Sequence, residues 1–353
     1  MTIRELLGMA VEQNASDIFI ISQRAITFKI EGRFAPLSDV TLKPEDVENI
    51  IREIYRAKER DMATLINTGD DDFSFSVSGM GRFRVNAFRQ RGSLAAIIRV
   101  ISFGIHDPVE LKIPDAVMNV ANFSNGLVLV TGPAGSGKST TLACIIDRIN
   151  QEKSGHIITM EDPIEFIHRH KQCIVSQREV PADTRSYVTA LRAALRQSPN
   201  VLLLGEMRDL ETIEIAMTAA ETGQLVLSTL HTMGAANTID RIIDVFPHNQ
   251  QQQIRVQLSM VLKAVVSQQL LNGTDGRLIP AFEIMLSNLA IQNMIREGKI
   301  HQIESAIYAG INVGMTSMDN YLFQLFESGL IEGEEAVLYA NNYESMQQRI
   351  DGS

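Results

Sequence analysis

The chain has 353 residues, 45% of them hydrophobic, with a formal charge of −10 and two cysteines, Cys144 and Cys173. That length accommodates two ordinary domains and that apolar content excludes disorder, while two cysteines offer no disulfide framework and fit a reducing cytoplasm. The acidic balance argues against a nucleic-acid partner, and neither membrane insertion nor export is expected: no apolar run approaches the roughly 18 residues of a span, and Glu5 falls where a signal peptide needs its apolar stretch.

Residues 2–13 carry Ile3, Leu6, Leu7, Ala10 and Val11 at helical spacing, and 16–22 (SDIFIIS) switch to a β-rich run. Further strands are expected at 26–30, 73–77, 83–88 and 95–101, punctuated by Gly32, Gly79, Gly81 and Gly92, with a helical segment near 44–64. Residues 1–103 therefore read as a small α+β domain. The stretch 104–120, opening with Gly104 and carrying Pro108 and Pro114, reads as a linker. From Leu127 the pattern is parallel α/β, with short apolar runs at 127–130, 157–160, 201–204 and 225–228 separated by helical stretches; the core is expected to span 121–275. After Gln250 the sequence reads as mostly helical, with 254–271 a buried helix and 276–353 a helical C-terminal region.

The run LVLVTGPAGSGKS at 127–139 carries the strongest chemical signal. An apolar strand delivers a GxxxxGKS loop into a helix start, which is how a polyphosphate is held. Gly132, Gly135 and Gly137 let backbone N–H groups turn inward, Ser136 lies among them, and Lys138 reaches the β and γ phosphates. Ser139 offers a hydroxyl to Mg²⁺, and Thr140 follows at the positive end of the helix. The cofactors are thus ATP and Mg²⁺.

All four apolar runs end in polar groups: TGPAGSGKS, EDPIE, GEMRD and TLHT. In open α/β sheets ligands bind outside the carboxyl ends of the strands, so the four converge on one site. Phosphoryl transfer to water needs charge neutralisation, a held metal and an oriented water. Glu206 is assigned to the metal, Glu165 to polarising the attacking water, and His231 to sensing the γ-phosphate; Glu161 and Asp162 have similar claims to a role. Arg82 and Arg84, on one face of a strand, read either as fingers reaching a neighbouring subunit's nucleotide or as charges that solubilise an edge strand. His168, His170 and Cys173 lack the second matching half of a zinc site, and none is expected.

With those residues in place, the chain resembles the PilT-type retraction motors of bacterial type IV pili, within the secretion ATPase superfamily, over nearly its whole length. The Walker A loop is matched by 132–139, the acidic box by 161–165, the Walker B segment by 204–209 and the histidine box by 220–231; GRFRVNAF at 81–88, QREV at 177–180 and AIQNMIRE at 290–297 extend the likeness. The resemblance implies an α/β fold: a RecA-like P-loop ATPase domain, a smaller N-terminal PAS-like α+β domain and a helical C-terminal region. It further implies a homohexamer, cytoplasmic and peripheral at the inner-membrane pilus base, that turns the platform protein and returns pilin to the membrane. A second retraction ATPase is a candidate partner. Within the family Glu165 matches the catalytic glutamate, Glu206 supports Mg²⁺ and arginines of the first domain approach the nucleotide.

Three positions depart from the family pattern: Gln224 replaces the first histidine of its box, Gln292 replaces an arginine in the retraction segment, and Phe19 replaces a histidine. The alternatives are an accessory PilU-like motor, an extension or secretion ATPase, a nucleotide-gated binding module with weak hydrolysis, and a DNA translocase. Extension ATPases commonly carry a four-cysteine zinc insertion, for which two cysteines do not suffice.

Overall fold

A computed structural model describes residues 2–30, 32–101 and 104–352. The expected domain end at Phe103 lies outside the described residues, as do Met1 and Ser353. The chain forms two compact units, residues 1–104 joined by 165–167, and residues 105–164 with 168–353.

The first unit opens with the helix Ile3–Glu12, fixed at its start by a capping box in which Glu5 N–H donates to Thr2 Oγ1 at 3.3 Å and Thr2 N–H donates to Glu5 Oε2 at 2.8 Å. Six strands follow: β1 (Asp17–Ile20), β2 (Thr27–Ile30), β3 (Arg33–Pro36), β4 (Asp70–Val77), β5 (Gly81–Gln90) and β6 (Ser93–Ile101). They make an antiparallel sheet in the order β3-β2-β1-β6-β5-β4. The helix Pro44–Ala57 contributes Val47, Ile51, Ile54 and Tyr55 to the core, where Phe28, Phe83, Val85 and Ile98 of the sheet are also buried. A buried carboxylate, Asp71, is satisfied by Tyr55 Oη at 2.8 Å and by the Arg60 guanidinium through two bonds of 2.8 and 2.9 Å. Strand β3 is not legible in the sequence, because its arginine, phenylalanine and proline are exposed and leave no alternation.

Strand β5 alternates as its sequence implies: Phe83, Val85 and Ala87 are buried while Arg82 and Arg84 share the opposite face. It is not an edge strand, since β4 and β6 pair on its two sides, so the solubilised-edge reading of these arginines fails.

The second unit holds β7 (Gly126–Thr131), β8 (Gly155–Glu161), β9 (Cys173–Glu179), β10 (Val201–Leu204), β11 (Leu225–Leu230), β12 (Leu262–Asn272) and β13 (Leu278–Leu286). Their order is β13-β12-β7-β11-β10-β8-β9, parallel throughout except for the antiparallel β13. Strand β7 shows why these strands read as continuous apolar runs: Leu127 and Leu129 enter one hydrophobic core and Val128 and Val130 the other, on opposite faces of the sheet. The helix Leu210–Glu221 contributes to the first of those cores and the helix Lys138–Glu152 to the second.

The helix expected over 254–271 stops at Val261, and β12 continues from Leu262. Both faces of β12 are covered, so its apolar run carries no period that tells helix from strand. The region 276–353, read as helical, begins with β13, and only from Leu289 is it a series of helices. The stretch 104–120, read as a linker, instead supplies Ile113, Val117, Met118 and Val120 to the core of the second unit. Among the described residues no helix is long and apolar enough to cross a membrane.

Candidate functional site

The parallel strands of the second unit end together. Thr131 pairs with Leu230, Leu204 with both Ser228 and Met160, and Glu161 closes β8, so the phosphate loop, His231, Glu206 and Glu161 leave adjacent strands at one sheet edge. Two strand spacings, roughly 10 Å, separate the loop's strand from that of Glu206.

The loop itself is shaped by glycine at two crowded positions. Gly132 has φ +139°, and a Cβ there would lie 2.1 Å from the main-chain oxygen of Gln268. Gly137 has φ +87°, and a Cβ there would lie 2.8 Å from Gln268 Nε2. At Gly132 a main-chain atom bars any side chain, and at both positions the positive φ is strained for a larger residue. Lys138 is buried and donates from Nζ to the main-chain oxygens of Gly132 at 2.8 Å and Pro133 at 2.7 Å. The helix Lys138–Glu152 begins at Gly137 with no side chain capping its first N–H groups, and Ser139 and Thr140 lie half-buried in its first turn. Among the described residues, the buried Ser136 hydroxyl has no hydrogen-bond partner. Uncapped N–H groups, an unsatisfied hydroxyl and a retained ammonium together make a receptor for a polyanion.

Beside the loop opens a cleft of about 390 Å³, lined by Gly137, Thr140 and Thr141, by Gln268 and Leu270 of β12, and by Arg277. Nothing in the sequence marks this wall, because the buried run of β12 reads as helix.

Glu206 follows β10 and Gly205. Its Oε1 accepts from Arg208 Nε at 2.7 Å and lies 3.4 Å from His231 Nε2. Burial pushes the Glu206 carboxyl up, but the hydrogen bond and charge of Arg208, with His231 assisting, outweigh it and hold the pKa below the usual range. These residues, with Thr232 and Arg241, line a second cleft of about 410 Å³. Asp209 of the same segment acts structurally, its carboxylate accepting from Thr212 N–H at 2.9 Å to cap the following helix. Glu161 Oε1 accepts from Thr159 Oγ1 at 2.6 Å. Tyr187 brings its hydroxyl to this edge, 2.8 Å from where a Cβ on Gly205 would stand. Burial, and then the neighbouring carboxylates of Asp162, Glu161 and Glu206, raise its pKa. Arg208 lies within the GEMRD strand end that the sequence marks for this edge, whereas no pattern in the sequence marks Tyr187.

Glu165 is exposed and belongs, with Phe166 and Ile167, to the first unit, so the edge built by the second unit does not itself contain it. Arg82 and Arg84 also lie in the first unit. Arg84 Nη2 bonds Asp72 Oδ2 at 2.6 Å, and Arg82 Nη1 donates to Ser76 Oγ at 3.4 Å, both across to β4. Gln224 precedes β11 and accepts from Thr222 Oγ1 at 2.9 Å. It therefore sits at the end of β11 opposite His231, about 20 Å away along the strand. The segment 290–297 falls in the helix Leu289–Glu297, which packs on the helix His248–Val261 and leaves Gln292 half-buried. Of the residues considered for zinc, Cys173 Sγ donates to Lys153 O at 3.0 Å, His170 Nδ1 accepts from Val175 N–H at 3.0 Å, and His168 is buried.

A parallel sheet with a GxxxxGKS loop, a following acidic strand end and a histidine strand end defines a RecA-like P-loop ATPase. Residues 1–278 match the family of Type II/IV secretion system proteins, and the chain belongs to that family. It is 45% identical, over 95% of its length and 97% of the relative's, to the type IV pilus retraction ATPase PilT of Pseudomonas aeruginosa. It is 43% identical over 98% of its length and 92% of the relative's to a twitching motility protein of Neisseria gonorrhoeae. Among solved structures, the pilus retraction motor PilT with bound ADP superposes with a TM-score of 0.88 at 45% identity, covering 99% of both chains. The ATPase DotB of Legionella pneumophila superposes with a TM-score of 0.76 at 26% identity, covering 100% of this chain and 97% of that one.

Proposed function

We propose that this chain is the motor ATPase that drives type IV pilus retraction. The observation that carries the reading is the convergence of phosphate loop, Glu206, His231 and Glu161 on one sheet edge, in a chain 45% identical over 95% of its length to a retraction ATPase. ATP binds with its phosphates on Gly132, Gly135, Ser136, Gly137, Lys138, Ser139 and Thr140, and its adenosine in the cleft beside β12. The Ser139 hydroxyl and an ionised Glu206 are oxygen donors of the kind Mg²⁺ takes, and these two residues hold it, partly through water. When bound with the nucleotide, Mg²⁺ supplies charge neutralisation at the phosphates.

Glu165 orients the attacking water as general base, and His231 donates to the γ-phosphate. Arg82 or Arg84 of a neighbouring subunit stabilises the charge that develops there. The working assembly is a homohexamer at the cytoplasmic side of the inner membrane. Closure of successive sites turns the platform protein at the pilus base, with a second retraction ATPase as a further partner.

Deleting the gene from its own host tests the function. Cells without it are expected to be heavily piliated and unable to twitch, restored by the wild-type chain but not by Glu165→Gln. Normal retraction in the deletion strain would contradict the reading.

A further inference from the structure

Gln268 is 3% exposed, in the strand next to the phosphate loop, and it meets that loop and its helix at three points. Its main-chain oxygen fills the space that a side chain on Gly132 would need, 2.1 Å from that Cβ position. Its Oε1 accepts from Thr141 Oγ1 at 2.7 Å, one turn into the helix that follows the loop. Its Nε2 packs against Gly137, 2.8 Å from that Cβ position, at the wall of the 390 Å³ cleft. Nε2 makes no hydrogen bond among the described residues. One end of the carboxamide is thus committed to the protein, and that bond fixes which way the other end faces. A primary amide that spends its oxygen on a buried hydroxyl and keeps its two N–H donors at a cleft is oriented for an acceptor.

We infer that Gln268 contacts the nucleotide directly, its Nε2 donating to an oxygen of the ribose and α-phosphate segment, while the bond from Thr141 holds the amide in the donating orientation. This rests on the nucleotide-binding reading of the loop and extends it to a residue outside every recognised motif. The inference assigns a reason to the two glycines as well: Gly132 and Gly137 are bare where Gln268 must approach. Because β12 also pairs with β13, which leads into the C-terminal helices, the same side chain ties the loop to that part of its unit.

The test uses the full chain and ADP, read by calorimetry, with melting of the unliganded protein alongside. Gln268→Glu keeps an oxygen for Thr141 and removes the N–H donors; Thr141→Val removes the supporting bond alone. Gln268→Glu is expected to weaken ADP at least about tenfold, and Thr141→Val by less than about threefold, the scale of losing a bond to a charged or strongly polar group against losing a support. Equal losses in both variants, or an unchanged affinity in Gln268→Glu, would overturn the inference. Should the buried carboxylate prevent folding, Gln268→Met reads the same contact: ADP is expected to weaken about tenfold while inorganic phosphate, which carries neither ribose nor a second phosphate, stays within about threefold. Equal weakening of both ligands would overturn it. A wild-type chain that binds no ADP at all would instead remove the nucleotide reading, and this inference with it.

Discussion

The amino group of Lys138 donates to the main-chain oxygen of Pro133 at 2.7 Å, closing the phosphate loop on itself. A second bond to Gly132 O at 2.8 Å completes the closure. The ammonium thus waits at the mouth of the loop, held by weak neutral acceptors that a polyphosphate replaces with charged ones. Lys138→Ala removes both the loop closure and the charge. Turnover of ATP is expected to fall by about a thousandfold or more, the scale of losing a principal charge contact in phosphoryl transfer. Near-normal hydrolysis in that variant would dismiss the loop as the site.

Gly205 is needed for space. A methyl there would stand 2.8 Å from Tyr187 Oη and 3.3 Å from Glu161 Cα. Gly205→Ala is therefore expected to push the phenol and the acidic edge apart and to lower kcat about tenfold or more, with ADP affinity within about threefold. Tyr187→Phe deletes the oxygen that the methyl meets, so the double variant is expected to recover part of the loss. A double variant no better than Gly205→Ala would show that Tyr187 is not the obstacle.

His168 gives the fold an acid limb. Burial outweighs the opposing charge of Asp147 and, with Lys171 adding to it, lowers its pKa from 6.5 to about 4. The unfolded chain takes up this proton below about pH 6.5 and the folded chain does not until about pH 4, so the contribution of this group to stability is lost as pH falls through that window and is fully present above it. The loss is no more than about 3 kcal/mol. His168→Phe keeps a ring in the buried place and removes the proton uptake. Urea unfolding at pH 7 and pH 5 is expected to show a smaller acid loss in the variant; parallel losses would contradict the assignment.

Arg84 is held by Asp72 within its own sheet at 2.6 Å, an exposed pair of small energetic worth that a stronger anion can displace. If it acts on a neighbour's nucleotide, inactive Arg84→Ala mixed with inactive Glu165→Ala is expected to regain activity in mixed rings, since some sites then receive one intact residue from each chain. No recovery, with mixing verified by mass, would place the arginine's action within its own chain.

Much of the ATP-binding edge is legible in the sequence because parallel strands covered on both faces leave uninterrupted apolar runs, and the residues after them are where chemistry gathers. The same burial conceals β12: with Val265, Val266 and Leu271 buried alongside Ser267, Gln268 and Gln269, its run has neither a period of two nor of 3.6. The site residues that sequence reasoning does not find, Gln268 and Tyr187, come from elements whose ends no motif marks. Gln224 belongs to the matched histidine box by sequence, yet it precedes β11 and lies at the far end of the strand that leads to His231, so adjacency within a motif does not by itself bring a residue to this edge. Glu165 reads as part of the acidic loop after β8, and the chain packs it with the first unit.

Steady-state ATP hydrolysis against protein concentration, with oligomeric mass read in parallel and Glu165→Gln as control, tests the central claim most directly. Turnover per subunit is expected to rise as hexamers form and to vanish in the control. Turnover that is independent of assembly, or that survives in Glu165→Gln, would contradict a ring motor in which Glu165 performs the hydrolytic step.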